Sequence, residues 1–233
     1  MNIYITGDTH GDIARRIAPF YTDIFNVKFA LGDILIVCGD FGVPWRDRDK
    51  EILKFLEKKP IEILFVDGNH ENFDLLNTFP ICERYGGKVH QLAKNVFHLM
   101  RGEVYEIDGK SFFAFGGATS VDKMYRTVGV SWWPEEDASL KDEENALHNL
   151  SKCGYEVDYV ITHTAPLYFV NPKTLDPRVN INCPTANFLK DVEKRLKYRH
   201  WFFGHHHYDE KYDIVRRHTC LYESIVNYSE VNK

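Results

Sequence analysis

Ile34-Leu35-Ile36-Val37-Cys38-Gly39-Asp40 is the stretch on which the fold turns. Its first five residues are apolar without interruption, rich in branched side chains, and stopped by Gly-Asp. That is too short for a helix, and it lacks the alternation of a half-exposed strand, so it reads as a strand covered on both faces. On its N-terminal side lie the apolar strand Ile3-Tyr4-Ile5 and a short helix over Ile13 to Phe20, with Asp12 as the expected cap. On its C-terminal side, Ile52, Leu53, Phe55 and Leu56 recur at helical spacing within Lys50 to Lys58. A strand over Ile61 to Val66 and a helical stretch near Asn72 to Leu76 follow. This βαβαβ order predicts a mainly parallel sheet with helices packed outside it.

Further along the pattern changes. Val96 to Leu99, Val104 to Ile107 and Phe112 to Phe115 read as strands, with Asp108-Gly109 a hairpin signal. Helix is expected over Glu135 to Leu150 and again over Ala186 to Leu196, with strands at Tyr159 to Thr162 and Trp201 to Phe203. Tyr212 to Val215 and Cys220 to Val226 read as a closing hairpin. The order fits an α/β fold in which a two-sheet β-sandwich is flanked by helices, as one domain over residues 1–233 without internal repeat or linker. The irregular stretches Val43 to Asp49, Gly116 to Pro134 and Thr164 to Pro184 each follow a strand end, where loops shape a substrate pocket.

Bulk properties narrow the function classes. With 233 residues, 44% of them hydrophobic and 27% charged, the chain has ordinary globular composition and enough length for a filled core. A formal charge of −5 gives no global pull toward nucleic acid or anionic membrane. No apolar stretch reaches the roughly 18 residues of a membrane span. Cys38, Cys82, Cys153, Cys183 and Cys220 are scattered and form no CxxC pair, so neither a disulfide framework nor a zinc knuckle is expected. The N-terminus shows no basic and apolar leader pattern, and the expectation is a cytoplasmic protein with reduced thiols and no membrane partner.

Five short blocks carry the chemistry: Gly7-Asp8-Thr9-His10-Gly11, Gly39-Asp40, Gly68-Asn69-His70-Glu71, Thr162-His163 and Gly204-His205-His206-His207. Each follows a run of β-forming residues, so each is expected on a loop at the carboxyl end of a strand. Converging, they would join oxygen and imidazole ligands with no thiolate, a donor set for two hard or borderline ions, and such pairs serve phosphoester hydrolysis. Asp8 and His10, one residue apart at a strand end, share a face. Asp40 can bridge two ions through its two oxygens; Asn69 offers an amide oxygen; His163, His205 and His207 offer nitrogens. A water held between such ions loses its proton near neutral pH. His70, beside Asn69, is placed to protonate the leaving oxygen or stabilise its charge. His206 is expected to point away from the ions, and Glu71 to cap the helix that follows it.

Taken together, these blocks resemble the signature of the calcineurin-like metallophosphoesterase superfamily: D-x-H, G-D, G-N-H-[ED], a His block and G-H-x-H. The resemblance spans Asp8 to His207 and implies that superfamily's β-sandwich flanked by helices. It implies one ion held by Asp8, His10, Asp40 and His207, and a second by Asp40, Asn69, His163 and His205, with His70 as the catalytic histidine. Manganese is the first choice of metal, with iron, zinc or nickel as alternatives. One departure stands out. The protein Ser/Thr phosphatase branch carries G-D-x-x-D-R-G, whereas here the block runs Gly39-Asp40-Phe41-Gly42-Val43-Pro44-Trp45-Arg46. The missing Asp and Arg argue against a protein phosphatase and leave His70 without an assigned partner.

Gly116 to Lys123 with Arg126, and Ser131-Trp132-Trp133-Pro134-Glu135-Glu136, resemble a small bacterial and phage branch of the superfamily. Arg46, Lys123 and Arg126 are candidate phosphate contacts, and Trp132 or Trp133 a stacking surface for a base or ring. The competing reading has the tryptophans packing the loop onto the core. The expected activity is dinuclear metal-dependent hydrolysis of a phosphodiester or phosphomonoester, on a small or nucleotide-like substrate. A nuclease is the alternative enzyme, disfavoured by the acidic chain. A non-catalytic scaffold on the same fold is the alternative outside catalysis, disfavoured by intact ligand blocks.

Overall fold

The computed structural model describes residues 1–46, 49–170, 182–210 and 217–228. Strand β1 (Ile3–Thr6) pairs in parallel with β2 (Ile34–Val37), and β2 with β3 (Glu62–Phe65). Between them run the short helices α1 (Ile13–Arg16), α2 (Pro19–Thr22) and α3 (Lys50–Leu56), with α4 (Phe73–Leu76) after β3. The single helix expected over residues 13–20 is thus two, because Pro19 has no N–H to continue the first and starts the second. Asp12 stands at the cap position of α1, but its side chain makes no capping hydrogen bond. Asn72 caps α4, accepting from Leu75 N at 3.0 Å, which corrects the capping role expected of Glu71.

Two strands escaped the sequence reading. β4 (Ile81–Arg84) and β5 (Gly87–Ala93) form a hairpin and continue the first sheet beyond β6 (Val96–Leu99), giving seven strands in the order β12-β1-β2-β3-β6-β5-β4 with β12 (Ile225–Asn227). The second sheet has five, in the order β11-β10-β9-β8-β7, built from β7 (Val104–Ile107), β8 (Lys110–Phe115), β9 (Tyr159–Thr162), β10 (His200–Phe203) and β11 (His218–Cys220). The β7–β8 turn is the one expected at Asp108-Gly109, with φ of 53° and 67° as a type I′ turn requires. Helix α5 (Leu140–Lys152) starts later than expected, after a 3₁₀ turn at Pro134–Glu136, because Ser139 and Asp142 form a capping box there. Helix α6 (Pro184–Glu193) lies before β10.

The closing hairpin is a correction. Tyr212 to Val215 lies outside the described residues, while Cys220 ends β11, parallel to β10, and Val226 lies in β12, antiparallel to β1. The chain crosses from one sheet to the other over residues 221–224. Asp209 holds that crossing by accepting from the amides of Tyr222, Glu223 and Ser224 at 2.8, 3.1 and 3.0 Å.

Alternate side chains of each sheet serve different layers. Ile3, Ile5, Ile34, Ile36 and Leu64 meet Phe112, Ala114, Tyr159, Ile161 and Phe202 between the sheets. Tyr4, Leu35, Val37, Ile63 and Phe65 face the helical layer with Ile13, Leu53, Leu56 and Phe73. Phe113, Phe115, Val160, Trp201 and Phe203 meet Ala146, Leu150, Leu189 and Val192 of α5 and α6. Burial on both faces is why β2 reads as an uninterrupted apolar run. Among the described residues, no helix is long and apolar enough to cross a membrane.

Candidate metal centre

Register brings the blocks to one place. Thr6, Val37 and Phe65 are paired neighbours at the ends of β1, β2 and β3, and Phe115, Thr162 and Phe203 at the ends of β8, β9 and β10. Three parallel strands therefore stop level in each sheet, and the loops beyond their carboxyl ends meet, as the contact of His163 with Asp40 and Asn69 shows, where α/β sheets place their sites.

Asp8, His10, Asp40 and His207 each offer a donor atom within 4.8 Å of the others. His10 Nε2 lies 3.1 Å from His207 Nε2, His207 Nε2 lies 3.1 Å from Asp8 Oδ2, and His10 Nδ1 lies 3.6 Å from Asp40 Oδ2. Asp8 and Asp40 are buried, yet Asp8 Oδ2 has only the His207 ring beside it, and Asp40 Oδ2 accepts no hydrogen bond among the described residues. Such carboxylate oxygens are costly to bury without a counter-charge. Burial pushes the Asp8 carboxyl up, but the His207 contact and the His205 amide help bring it net below the ordinary value. Contact with Asp8 raises His207 in turn.

The other oxygen of Asp40 faces a second group. Asp40 Oδ1 accepts from His70 N at 2.7 Å and lies 3.3 Å from His163 Nε2, which is 2.9 Å from Asn69 Oδ1. His163 Nδ1 lies 2.9 Å from the Cys38 carbonyl, which can only accept, so that nitrogen carries the proton. In the neutral ring, Nε2 then aims a lone pair at two oxygens. Acceptors turned on one another in a buried site form a donor set for a cation. His205 completes this side, its ring centre 4.9 Å from that of His163, and burial holds it far below the ordinary histidine value. The oxygen and imidazole donors of both groups thus fit divalent ions, with Asp40 shared between them.

Local backbone conformation makes this convergence fit. His10, Asp40, His205 and His207 all have positive φ, at 48°, 47°, 67° and 52°. Left-handed conformations in non-glycine residues cost of order 1 kcal/mol or more and gather at functional sites. A Cβ on Gly68 would overlap Asp40 Oδ1, so no other residue lets β3's loop approach Asp40 so closely.

Supporting residues were not legible in the sequence. Buried Glu71 accepts from Phe41 N at 2.7 Å and Gly42 N at 3.0 Å, holding the loop that carries Asp40. Burial and the Asp40 charge push its carboxyl well above the usual range despite those two donors. Arg16 donates to the Asp8 carbonyl at 3.0 Å, to the Tyr222 carbonyl at 2.7 Å, and to Thr6 Oγ1. Asp67, just before Gly68, accepts from Arg101 Nε at 2.9 Å and His98 Nε2 at 3.0 Å. His98 Nδ1 faces His90 Nδ1 at 2.9 Å, so both histidines belong to a buried network beneath the site.

His70 has a partner that sequence reasoning did not find. Arg126 places Nη1 3.0 Å from His70 Nδ1 and Nη2 3.2 Å from Nε2. Arg126 is itself fixed by Asp122 at 2.7 and 3.1 Å and by the Ser131 carbonyl at 3.1 Å. Burial lowers the His70 pKa; Asp40 opposes this and the guanidinium reinforces it. Of the other candidates, Arg46 and Lys123 are exposed, and among the described residues no hydrogen bond or ion pair ties either side chain to the cluster. Trp132 is half-buried, whereas Trp133 is buried and donates Nε1–H to Asp74 at 2.8 Å, so Trp133 packs the loop and is not free to stack. His206 packs toward Phe203, with ring centres 6.0 Å apart.

A two-sheet sandwich with Asp, Asn and His converging from level strand ends defines the metal-dependent hydrolase class. The model of the calcineurin-like phosphoesterases matches residues 1–209, and the chain belongs to that family. The family's chemistry is metal-dependent hydrolysis of phosphoesters, using divalent ions. A UPF0046 protein of Caenorhabditis elegans, C25E10.12, is 26% identical over 211 residues, covering 86% of this chain. The chain spans 66% of that relative's length, just under two thirds.

Proposed function

We propose that this protein hydrolyses a small or nucleotide-like phosphoester with two divalent ions, manganese being the first choice. The observation that carries the reading is the division of Asp40: Oδ2 lies 3.6 Å from His10 Nδ1, of the group with Asp8 and His207, while Oδ1 lies 3.3 Å from His163 Nε2, which in turn meets Asn69 Oδ1. One ion would be held by Asp8, His10, Asp40 and His207, and the other by Asp40, Asn69, His163 and His205. Bound there, the ions would acidify a water to make the nucleophile and neutralise charge on the phosphate.

The remaining work falls to His70 and Arg126. Arg126 has five N–H donors; Asp122 and the Ser131 carbonyl take three, leaving two on the side that meets His70. A neutral His70 has one accepting nitrogen, so one of those protons is left to bind a phosphate oxygen. His70, kept neutral by burial and Arg126, donates its ring N–H to the leaving oxygen and lowers the cost of its developing charge. Trp132, half-buried on the same loop, offers a ring face to a nucleotide-like leaving group.

The test is hydrolysis of a chromogenic phosphodiester and a chromogenic phosphomonoester, side by side, in Mn²⁺ with and without chelator. Chelator-sensitive turnover is expected, and the preferred ester defines the substrate class. Absence of turnover on both, in manganese, iron, zinc and nickel alike, would refute the enzymatic reading in favour of a scaffold. Cleavage of nucleic acid that falls steeply with salt would favour the nuclease instead.

A further inference from the structure

We propose that Ser120, backed by Glu136, is a positioning pair that decides which end of the Asn69 side chain faces the second ion. The inference rests on the two-ion reading and extends it to a sixth strand-end loop, the one after β8.

The two ends of an asparagine amide are nearly equal in size, but only the oxygen ligates a cation; the NH₂ end turns positive charge toward it. Something must therefore hold the amide one way round. Asn69 Nδ2 lies 3.1 Å from Ser120 Oγ, and both residues are buried. Ser120 takes that hydrogen on an oxygen lone pair, and the contact keeps this direction when the hydroxyl's own proton is drawn to another acceptor. Glu136 stands ready to engage that proton: its carboxylate accepts from Ser120 N at 3.3 Å through Oε2, which sets a carboxylate beside the Ser120 hydroxyl. The direction of donation is then set along the chain, from Asn69 to Ser120 to Glu136, and Asn69 Oδ1 is turned toward His163 Nε2 and Asp40. This polarity holds whether Glu136 is ionised or carries a proton on Oε1.

Glu136 is built in for this task. It is 1% exposed, and its Oε1 has no hydrogen-bond partner among the described residues. Its backbone is pinned on both sides, the amide to the Trp133 carbonyl at 3.1 Å and the carbonyl to Ala118 N at 2.9 Å. A carboxylate half-satisfied in the interior is costly, and its described side-chain contacts run to Ser120. The Gly116 to Ser120 and Trp133 to Glu136 stretches, both singled out in the sequence, meet at this point.

The experiment is Mn²⁺ titration of the full-length protein, following free Mn²⁺ by electron paramagnetic resonance, with thermal melting of the metal-free protein alongside. Wild type should bind two ions. Ser120→Ala should weaken one of them about 10–100-fold, the usual effect of losing a group that orients a ligand, and leave the other unchanged. Asn69→Ala should weaken the same ion, and adding Ser120→Ala to Asn69→Ala should cost nothing more. Glu136→Gln, which keeps an accepting oxygen, should bind both ions nearly as wild type. If Ser120→Ala fails to fold, Ser120→Cys, whose sulfur is a weak acceptor, should still weaken one ion selectively. Wild-type affinities in Ser120→Ala or Ser120→Cys, when Asn69→Ala is impaired, would overturn this inference alone. Equal loss of both ions with a lowered melting temperature would overturn it too, as a structural effect. An Asn69→Ala protein that binds two ions with wild-type affinity would overturn the ligand role of Asn69 and this inference with it, whereas a wild type that binds fewer than two ions would overturn the two-ion reading.

Discussion

Replacing Glu71 with alanine should loosen the loop that carries Asp40. Glu71 is 3% exposed and its two oxygens accept from the amides of Phe41 and Gly42 at 2.7 and 3.0 Å. Removing the carboxylate orphans two amides, one buried and one partly so, at about 1–3 kcal/mol each, so roughly 2–6 kcal/mol of stability is at stake. A chain of this size loses about 2–4 °C in Tm per kcal/mol, so Glu71→Ala should melt several degrees lower or more. Glu71→Gln keeps one accepting oxygen and forfeits one amide contact, so it should lose about 1–3 kcal/mol. Because the freed amides flank Asp40, metal affinity should fall along with stability. Chemical denaturation of the metal-free proteins measures the first effect, and Mn²⁺ titration the second. A Glu71→Ala protein as stable as wild type would refute the claim that this carboxylate holds the loop. Lowered stability with unchanged metal binding would refute its link to Asp40.

Other outcomes follow from the same geometry. Arg101→Ala leaves the Asp67 carboxylate buried with only His98 beside it, and should cost about 3–5 kcal/mol in urea unfolding; a loss below 1 kcal/mol would show the pair to be dispensable. Arg126→Ala should reduce kcat/KM by about 10–100-fold through loss of one charged hydrogen bond, with Arg126→Lys recovering only part because it cannot reproduce the fork to Asp122; equal activity of all three would remove Arg126 from the site. Stability should also decline on the acid side of neutrality. Burial holds His90 down to about 4 and His200 down to about 3, so below the ordinary 6.5 the unfolded chain takes up protons that the folded one refuses. The stability present above 6.5 is thus lost as pH falls toward those values, at up to about 1.4 kcal/mol per pH unit for each group. Glu71 and Glu136, raised by burial, act in the opposite sense. The check is therefore the pH slope of the His90→Gln/His200→Gln double variant against wild type between pH 7 and pH 5; equal slopes would contradict this.

The parallel strands were legible because burial on both faces writes itself into the sequence as unbroken apolar runs, as in β2 and β9. The candidate ligands were legible because metal binding demands particular side chains directly after strands. The β4–β5 hairpin was not, since its first strand lies at the sheet edge with an exposed Ile81 and gives no apolar run. The closing hairpin was misread because propensity and alternation identify a strand without saying which sheet it joins. Glu71, Ser120 and Glu136 lay within stretches the sequence marked, but their roles did not show, because a buried carboxylate or hydroxyl looks in sequence like a surface one.

By itself, the sequence determined the donor types, the strands that present them and the reaction class that such donors serve. Those properties depend on side-chain chemistry and on hydrophobic periodicity, both of which are local. The tertiary structure alone decided that three strand ends stop level in each sheet, that Asp40 turns one oxygen toward His10 and the other toward His163, and that His70 meets Arg126 across 56 positions of chain. Those are distances between segments remote in the chain, set by register and packing, and no local pattern encodes them.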